Sequence, residues 1–166
     1  MQRTSFREMA CSIARTLDVI GEPWSPLILR DVWVGMNRFD EIQADLGISR
    51  KVLTERLNHL VEHGVLERRP YDRRPRYEYH LTEKGRDLFP VAFMLMQWGD
   101  RWLAPGYGGN LRVRHKECGW LVRGVVSCGR CGEPLRAHEV NIPVRRSRRA
   151  LTAHAVRARS EATWSN

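Results

Sequence analysis

The sequence predicts an α+β fold, in which several short helices precede a small β-hairpin and a longer helix. Four segments before residue 64 repeat apolar residues at three- and four-residue spacing, the pattern of amphipathic helices. Two later segments, VLERR and YEYHL, alternate apolar and polar residues, as half-buried strands do. Between residues 88 and 102 a further apolar stripe returns to helical spacing, which predicts the longer helix.

Glycines and capping residues predict where the four helices begin and end. Each helix is followed by a glycine, and these are Gly21, Gly35, Gly47 and Gly64. In the second helix Ser25 is the predicted N-cap, because Pro26 would then occupy the first helical position, where its missing N–H costs nothing. Ser49 is the predicted N-cap of the fourth helix.

The predicted hairpin has a proline at each end of its turn, PYDRRP. Proline cannot donate a hydrogen bond to a neighbouring strand, so Pro70 and Pro75 are expected at the tip rather than in the paired part. The following helix is expected to be capped by Thr82, with Pro90 bending it or marking a restart.

Charge is distributed unevenly along the 166 residues, whose formal net charge is +9. Residues 1–104 carry 16 basic and 15 acidic side chains, but residues 50–76 carry 8 basic and only 4 acidic ones. A local basic face on an otherwise neutral domain indicates a defined contact with phosphate groups.

Composition predicts four regions. They are a winged-helix domain with dimerisation helices (1–103), a linker (104–110), a Cys/His segment similar to a zinc ribbon (111–140) and a basic tail without a core pattern (141–166).

The segment QADLGISRKVLTERL has the form of a helix-turn-helix, and the basic hairpin that follows makes it a winged one. The start of the second helix would enter a DNA major groove, and the hairpin would reach the neighbouring backbone or minor groove. The predicted DNA-binding residues are Arg38, Ser49, Arg50, Lys51, Thr54, Arg56, Arg73, Arg74 and Arg76. The alternatives are that the hairpin arginines form a solvated loop, or that the domain binds an acidic protein.

These elements resemble the HxlR-type transcriptional regulators of bacteria. The resemblance covers about residues 8–103 and rests on Cys11, LDVIG, Trp24, LILRD, Gly35, RFDEI, GIS, LTERL, GVLERR and YEYHLTEKG. It implies a repressor or activator that forms a homodimer through the first and last helices of the domain and binds inverted repeats in double-stranded DNA. The apolar residues of the last helix agree with a dimer, because they exceed what a small domain needs for its core.

Cys11 matches a cysteine that members of this family often carry near the N-terminus, where some of them sense oxidants or electrophiles. A thiol near the start of a helix can have a lowered pKa, which makes Cys11 a candidate redox sensor. Ser12 replaces the proline that usually follows, and a small, inert, partly buried cysteine is the alternative.

The Cys/His segment contains two pairs of metal-ligand residues, each with two residues between its members and a glycine after it. They are His115 with Cys118, and Cys128 with Cys131. This spacing predicts a structural Zn²⁺ site. The alternatives are a metal-free hairpin with reduced cysteines, a redox pair at Cys128 and Cys131, and a site in which His138 replaces His115.

No phosphate-binding loop, nucleophile elbow or pair of catalytic carboxylates is evident, so we expect no enzymatic activity. A thiol-based sensor or redox enzyme centred on Cys128 and Cys131 is the alternative function.

No apolar run approaches the roughly 20 residues that cross a bilayer, and the N-terminus lacks the apolar stretch of a secretory signal. We therefore expect a cytoplasmic protein whose effector, if one exists, is unknown.

Overall fold

The structure is a computed structural model that describes residues 5–71, 76–103 and 111–141. Its elements are α1 (Ser12–Ile20), α2 (Trp24–Trp33), α3 (Phe39–Leu46), α4 (Arg50–Glu62), β1 (Leu66–Pro70), β2 (Tyr77–Leu81), α5 (Glu83–Arg86) and α6 (Phe89–Trp102). Helices followed by a two-stranded antiparallel sheet and a long helix confirm the predicted α+β winged fold. None of the described helices is both long and apolar enough to span a lipid bilayer.

The described residues divide into two compact units. One is Thr16–Gly124, and the other combines residues up to Arg15 with those from Val125 onward. Residues 111–124 thus belong to the unit that contains the winged domain. Within that unit Gln97 of α6 holds the backbone of Gly124, because its Oε1 accepts from Gly124 N at 2.9 Å. A Cβ at this glycine would lie 2.9 Å from Phe93 Cε1, so only glycine permits the approach.

The start of α2 corrects one prediction. The helix begins at Trp24, and its N-cap position is Pro23, whose φ of −53° and ψ of −33° are already helical. Ser25 is therefore the second residue of the helix rather than its N-cap, and its side chain is fully buried. The prediction located the N-cap from the proline that follows Ser25. Pro26 is equally acceptable as the third residue of the helix, because backbone N–H groups in the first turn have no intrahelical partner.

The turn between α3 and α4 is built as predicted. Gly47 has a φ of +63°, in the left-handed region that favours glycine, and its N–H donates to Gln43 O at 3.0 Å. Ile48 is buried and anchors the turn to the core. Ser49 then caps α4, because its Oγ accepts from Val52 N at 3.3 Å. These local contacts determine the angle at which α4 leaves the turn.

The hairpin pairs Leu66 with Leu81 at one end and Pro70 with Tyr77 at the other, so the expectation that Pro70 lies outside the paired part is wrong. The reason lies in the register. Tyr71 N donates to Arg76 O, and hydrogen-bonded pairs alternate along an antiparallel ladder. Pro70 therefore occupies a non-hydrogen-bonded position, where its missing N–H costs nothing. Pro75 lies outside the described residues.

The segment after the hairpin is two helices rather than one. Thr82 caps the short α5, with its Oγ1 accepting from Gly85 N at 3.1 Å. Gly85 is buried, and a Cβ there would lie 2.2 Å from the backbone oxygen of Val65, the residue before β1, so only glycine permits this close approach. Pro90 stands in the first turn of α6, which confirms that it marks a restart.

One apolar core joins α2, α3, α4 and the hairpin. Leu53, Leu57 and Leu60 recur at helical spacing along the inner face of α4 and are fully buried. Their neighbours in the core are Ile20, Ile28, Leu29, Val32, Ile42, Ile48, Val65, Leu66 and Tyr79. Burial of this face determines which side of α4 is left for solvent or for a ligand.

Candidate nucleic-acid interface

The N-terminal half of α4 presents a basic, polar surface opposite its buried leucines. Arg50, Lys51 and Thr54 are all exposed, and Glu55 is the one acidic residue among these outward positions. The first turn of a helix also carries backbone N–H groups with no intrahelical partner and a partial positive charge. The surface thus combines cationic side chains with a helix N-terminus, both of which attract phosphate oxygens.

Arg50 is held in place by α3. Its guanidinium lies 3.6 Å from Asp40 Oδ1 and 3.4 Å from Gln43 Oε1, and it stacks over the Phe39 ring at 4.9 Å. The side chain is nevertheless 71% exposed. Arg50 is therefore oriented before any ligand arrives, while its donors remain accessible. Ser49, by contrast, already uses its hydroxyl oxygen to cap the helix.

Arg38 connects the start of α3 with the hairpin. Its Nε donates to Glu78 Oε1 of β2 at 3.1 Å, and the guanidinium lies over the Tyr71 ring at 4.6 Å. The hydrogen bond to Glu78 raises the pKa of Arg38 above its ordinary value. Arg38 is about half exposed and adds positive charge to the base of the hairpin.

At the wing, which we define as β1, β2 and the turn between them, the structure describes part of the predicted cluster. Arg76 is exposed immediately before β2, whereas Arg73 and Arg74 lie outside the described residues. Sequence reasoning missed Arg68, which is exposed on β1 and donates to Asn58 of α4. Strand alternation in LERRP gives no signal for it, because Arg68 lies two residues after the buried Leu66 and therefore on the same face of the strand.

Arg56 differs from the other predicted contacts. Its side chain is only 17% exposed, and its Nη1 lies 3.7 Å from Oε1 of Glu22, which stands between α1 and α2. This geometry favours an internal ion pair. We therefore leave Arg56 out of the proposed interface, although the sequence predicts a phosphate contact there.

All four cysteines are free thiols. Cys11, Cys118 and Cys131 are exposed and Cys128 is half-buried. Hydrogen bonds to the Cys128 thiol, first from the backbone N–H of Cys131 and then from that of Arg130, lower its pKa. Among the described residues no group of three or more His, Cys, Asp or Glu side chains is placed to hold a metal ion.

Relatives of known sequence extend across both the winged domain and part of the Cys/His segment. An uncharacterised HTH-type transcriptional regulator of Mycobacterium bovis is 44% identical over 130 residues, which cover 78% of this chain and 82% of that protein. A span of 130 residues within 166 necessarily includes His115 and Cys118. The Bacillus subtilis regulator YvaP is 35% identical over 102 residues and covers 60% of this chain and 94% of its own length.

Solved structures show the same architecture. PA1607, a proposed transcription factor, superposes with a TM-score of 0.76 at 40% identity over 84% of this chain and 98% of its own. The redox regulator HypR in its oxidised form has a TM-score of 0.51 at 35% identity, covering 54% of this chain and 95% of its own. The family profile of the HxlR-like helix-turn-helix matches residues 19–107, more than half of the sequence. The chain is therefore a transcriptional regulator with a helix-turn-helix DNA-binding domain and belongs to the HxlR family.

Proposed function

We propose that this regulator acts as a homodimer that binds inverted-repeat operator DNA through α4 and the wing. The observation that carries the proposal is the exposed, basic N-terminal face of α4, held by the core on one side and by α3 at Arg50. In helix-turn-helix proteins this part of the second helix contacts base edges in the major groove. Here Lys51 and Thr54 would contact bases, and Arg50 would contact a base or a phosphate.

The wing would supply contacts to the DNA backbone. Arg38, Arg68 and Arg76 are exposed on or beside it, and Arg73 and Arg74 belong to its tip in the sequence. Arginines beside a narrow minor groove gain from its strongly negative potential. Because such contacts involve phosphate and sugar, the wing is expected to add affinity without choosing the sequence.

Support for a homodimer comes from α6. Val91, Leu95, Trp98 and Trp102 are exposed and follow one another at four- and three-residue spacing, so they form a single apolar stripe along one face of the helix. Two of these are tryptophans more than half exposed, which is costly for a free surface. A second copy of the chain would cover the stripe. A twofold dimer would in turn require a palindromic operator.

The experiment that tests this function is selection of bound fragments from random duplex DNA by the purified full chain. We expect recovery of one inverted repeat whose half-site centres lie about 34–36 Å apart along the duplex, one helical turn. Recovery of half-sites with no fixed spacing would contradict the dimer. Failure to enrich any sequence at low salt would contradict operator binding.

Changing Arg73, Arg74 and Arg76 to alanine is expected to weaken binding to operator and to unrelated DNA alike. Up to six phosphate contacts per dimer would be lost, so the slope of log K against log salt concentration should flatten by up to about 5. The slope is measured by fluorescence anisotropy with a labelled duplex. The control is a variant with Lys84→Ala and Arg86→Ala, two exposed cations of α5, which should keep the wild-type slope.

Two alternative functions, binding of an acidic protein and redox sensing, predict different experimental results from operator binding. A winged domain that binds an acidic protein would show no preference among duplexes. HypR is a redox regulator, and on this chain redox sensing would depend on Cys11, which is exposed, or on Cys128 and Cys131. Operator affinity that is unchanged by thiol oxidants would exclude redox sensing.

In keeping with a regulator of transcription, we place the protein in the cytoplasm and assign it no enzymatic activity.

A further inference from the structure

A cavity of about 590 Å³ lies between α2 and α6, within the compact unit Thr16–Gly124. We call it the α2–α6 cavity. Residues of these two helices supply most of its lining, and the greater part of the lining is apolar. A concave, mainly apolar space of this volume is typical of sites that bind small molecules. The cavity is therefore a candidate ligand site, and its polar atoms indicate the kind of ligand.

Three aromatic side chains of the lining contact one another, and we call them the aromatic cluster. The rings of Trp33 and Phe89 meet edge to face, with centroids 5.6 Å apart and planes at 88°. Phe89 in turn stacks on Phe93, with centroids 5.8 Å apart and planes at 10°. Aromatic rings offer flat apolar surface, and their faces attract cations. The cluster suits an aromatic or other apolar body and tolerates a positive charge beside it.

Three charged side chains of the same lining are bonded to one another, and we call them the charged cluster. Arg30 donates to Asp31 Oδ1 from Nε at 2.8 Å and from Nη2 at 2.6 Å, and Nη2 also donates to Asp45 Oδ2. One cation thus faces two carboxylates, so the cluster has a net charge of −1 when both are ionised. A ligand with a single positive charge would neutralise it.

Two buried polar atoms of lining residues have no hydrogen-bond partner within the described part of the chain. They are Oδ2 of Asp31, whose side chain is 1% exposed, and Nε1 of Trp33. Buried acceptors and donors are costly to leave without partners, and proteins rarely do so. Burial also raises the pKa of Asp31, an effect that its hydrogen bond from Arg30 opposes. A ligand that donates to Asp31 and accepts from Trp33 would satisfy both atoms.

We propose that the α2–α6 cavity binds a small molecule that joins an aromatic or other apolar body to a protonated amine. The body would lie against the aromatic cluster, and the amine would donate to Asp31 Oδ2. An anionic ligand of the same shape would meet the negative charge of the charged cluster and would leave Oδ2 without a donor. The regulator would thus have an effector site for cationic amphiphilic molecules, which goes beyond operator binding.

The cavity and the apolar stripe of α6 use different faces of that helix. Of the four stripe residues, Leu95 alone also lines the cavity. At 100° per residue, the directions of Phe89, Ala92, Phe93 and Met96 average about 140° away from that of the stripe. A second copy of the chain on the stripe therefore does not occupy the face that the ligand would contact.

The first test compares three probes that share one apolar body, by isothermal titration calorimetry on the purified full chain at neutral pH. They are naphthylethylamine, naphthylethanol and naphthylpropionate, which are cationic, neutral and anionic. We expect the amine to bind with a dissociation constant of about 1 mM or tighter, and about 10-fold tighter than the alcohol, because a charge-assisted hydrogen bond is stronger than a neutral one. The acid should bind more weakly than the alcohol. Equal affinity for amine and acid, or no heat from the amine, would overturn the proposal.

The second test removes the charge of Asp31 and keeps its shape. Asp31→Asn should weaken binding of naphthylethylamine by about 10-fold and leave that of naphthylethanol nearly unchanged. Arg30 keeps Asp45 as its partner in this variant, and thermal unfolding checks that the fold is retained. The control is Asp87→Asn, an exposed carboxylate after α5 and outside the lining, which should bind the amine like the wild type. Amine affinity that survives Asp31→Asn in full would refute the site.

The third test locates the bound probe. Ala92→Phe adds a ring to the lining of the α2–α6 cavity and should weaken all binding probes at least about 10-fold, because the space for the naphthyl body is filled. Its control is Met94→Phe. Met94 lines a separate cavity between α6 and residues 111–124 that Ala92 does not line, so this variant should keep wild-type affinity. The opposite result would place the probe in that other cavity and contradict the proposal.

Amine binding in this proposal does not rest on the proposed operator binding, because the calorimetry contains no DNA. A chain that selects an operator but binds no amine refutes only the ligand site. A chain that binds the amine but selects no operator refutes only the proposed function.

Discussion

Replacing Lys51 with alanine is expected to reduce strongly the preference for operator over unrelated DNA. If Lys51 contacts a base edge, loss of that contact costs about 1–3 kcal/mol in each half-site. A dimer loses it twice, so operator affinity should fall by roughly 30-fold to 10⁴-fold. Affinity for unrelated duplexes should fall much less, because it depends on phosphate contacts of which only one per subunit is removed. The measurement is fluorescence anisotropy with operator and scrambled duplexes at one salt concentration.

Lys84→Ala is the matched control for this prediction. Lys84 is also an exposed lysine, and its Nζ donates to the backbone oxygen of His63, the C-cap residue of α4. It therefore lies at the opposite end of the same helix, roughly 20 Å from Lys51. The control loses the same charge but should keep its operator preference. Equal losses in both variants would indicate a general electrostatic effect and would contradict base contact by α4.

Replacing Trp98 with aspartate is expected to convert the dimer into monomers. Trp98 is 56% exposed in the single chain and lies at the middle of the apolar stripe of α6. Loss of one large buried side chain from each subunit removes about 3–6 kcal/mol from the interface, so the dissociation constant should rise by roughly 100-fold or more. Sedimentation velocity over a range of protein concentrations measures the change. Operator affinity should fall in parallel.

Leu103→Asp is the control for the dimer. Leu103 is the C-cap residue of α6 and 73% exposed, but helical spacing places it about 120° away from the stripe. The same apolar-to-acidic change should leave the dimer intact there. If Trp98→Asp leaves the dissociation constant of the dimer unchanged, α6 does not form the interface. Circular dichroism of both variants would check that each remains folded.

Much of the fold was predictable because its signals are local. Gly47 and Ser49 end and begin helices through contacts within four residues, and Thr82 caps α5 in the same way. Capping depends on backbone groups that lie next to the capping residue in the chain. The type and position of that residue are therefore enough to predict where a helix begins or ends. The same holds for the basic face of α4, since helical spacing alone separates Lys51 from the buried Leu53.

Other features depend on neighbours that are distant in the chain. Arg56 meets Glu22 and Arg38 meets Glu78, and no local pattern distinguishes a paired arginine from a free one. Pro70 joins the ladder because the register gives it a non-hydrogen-bonded position, which depends on how two strands align.

The sequence by itself determined the order of helices and strands and the winged domain, because each follows from periodicity or spacing along the chain. Only the tertiary structure decided which cations face solvent and which apolar residues of α6 remain uncovered. Exposure and pairing are properties of packed surfaces, and packing brings together residues whose separation in sequence carries no signal.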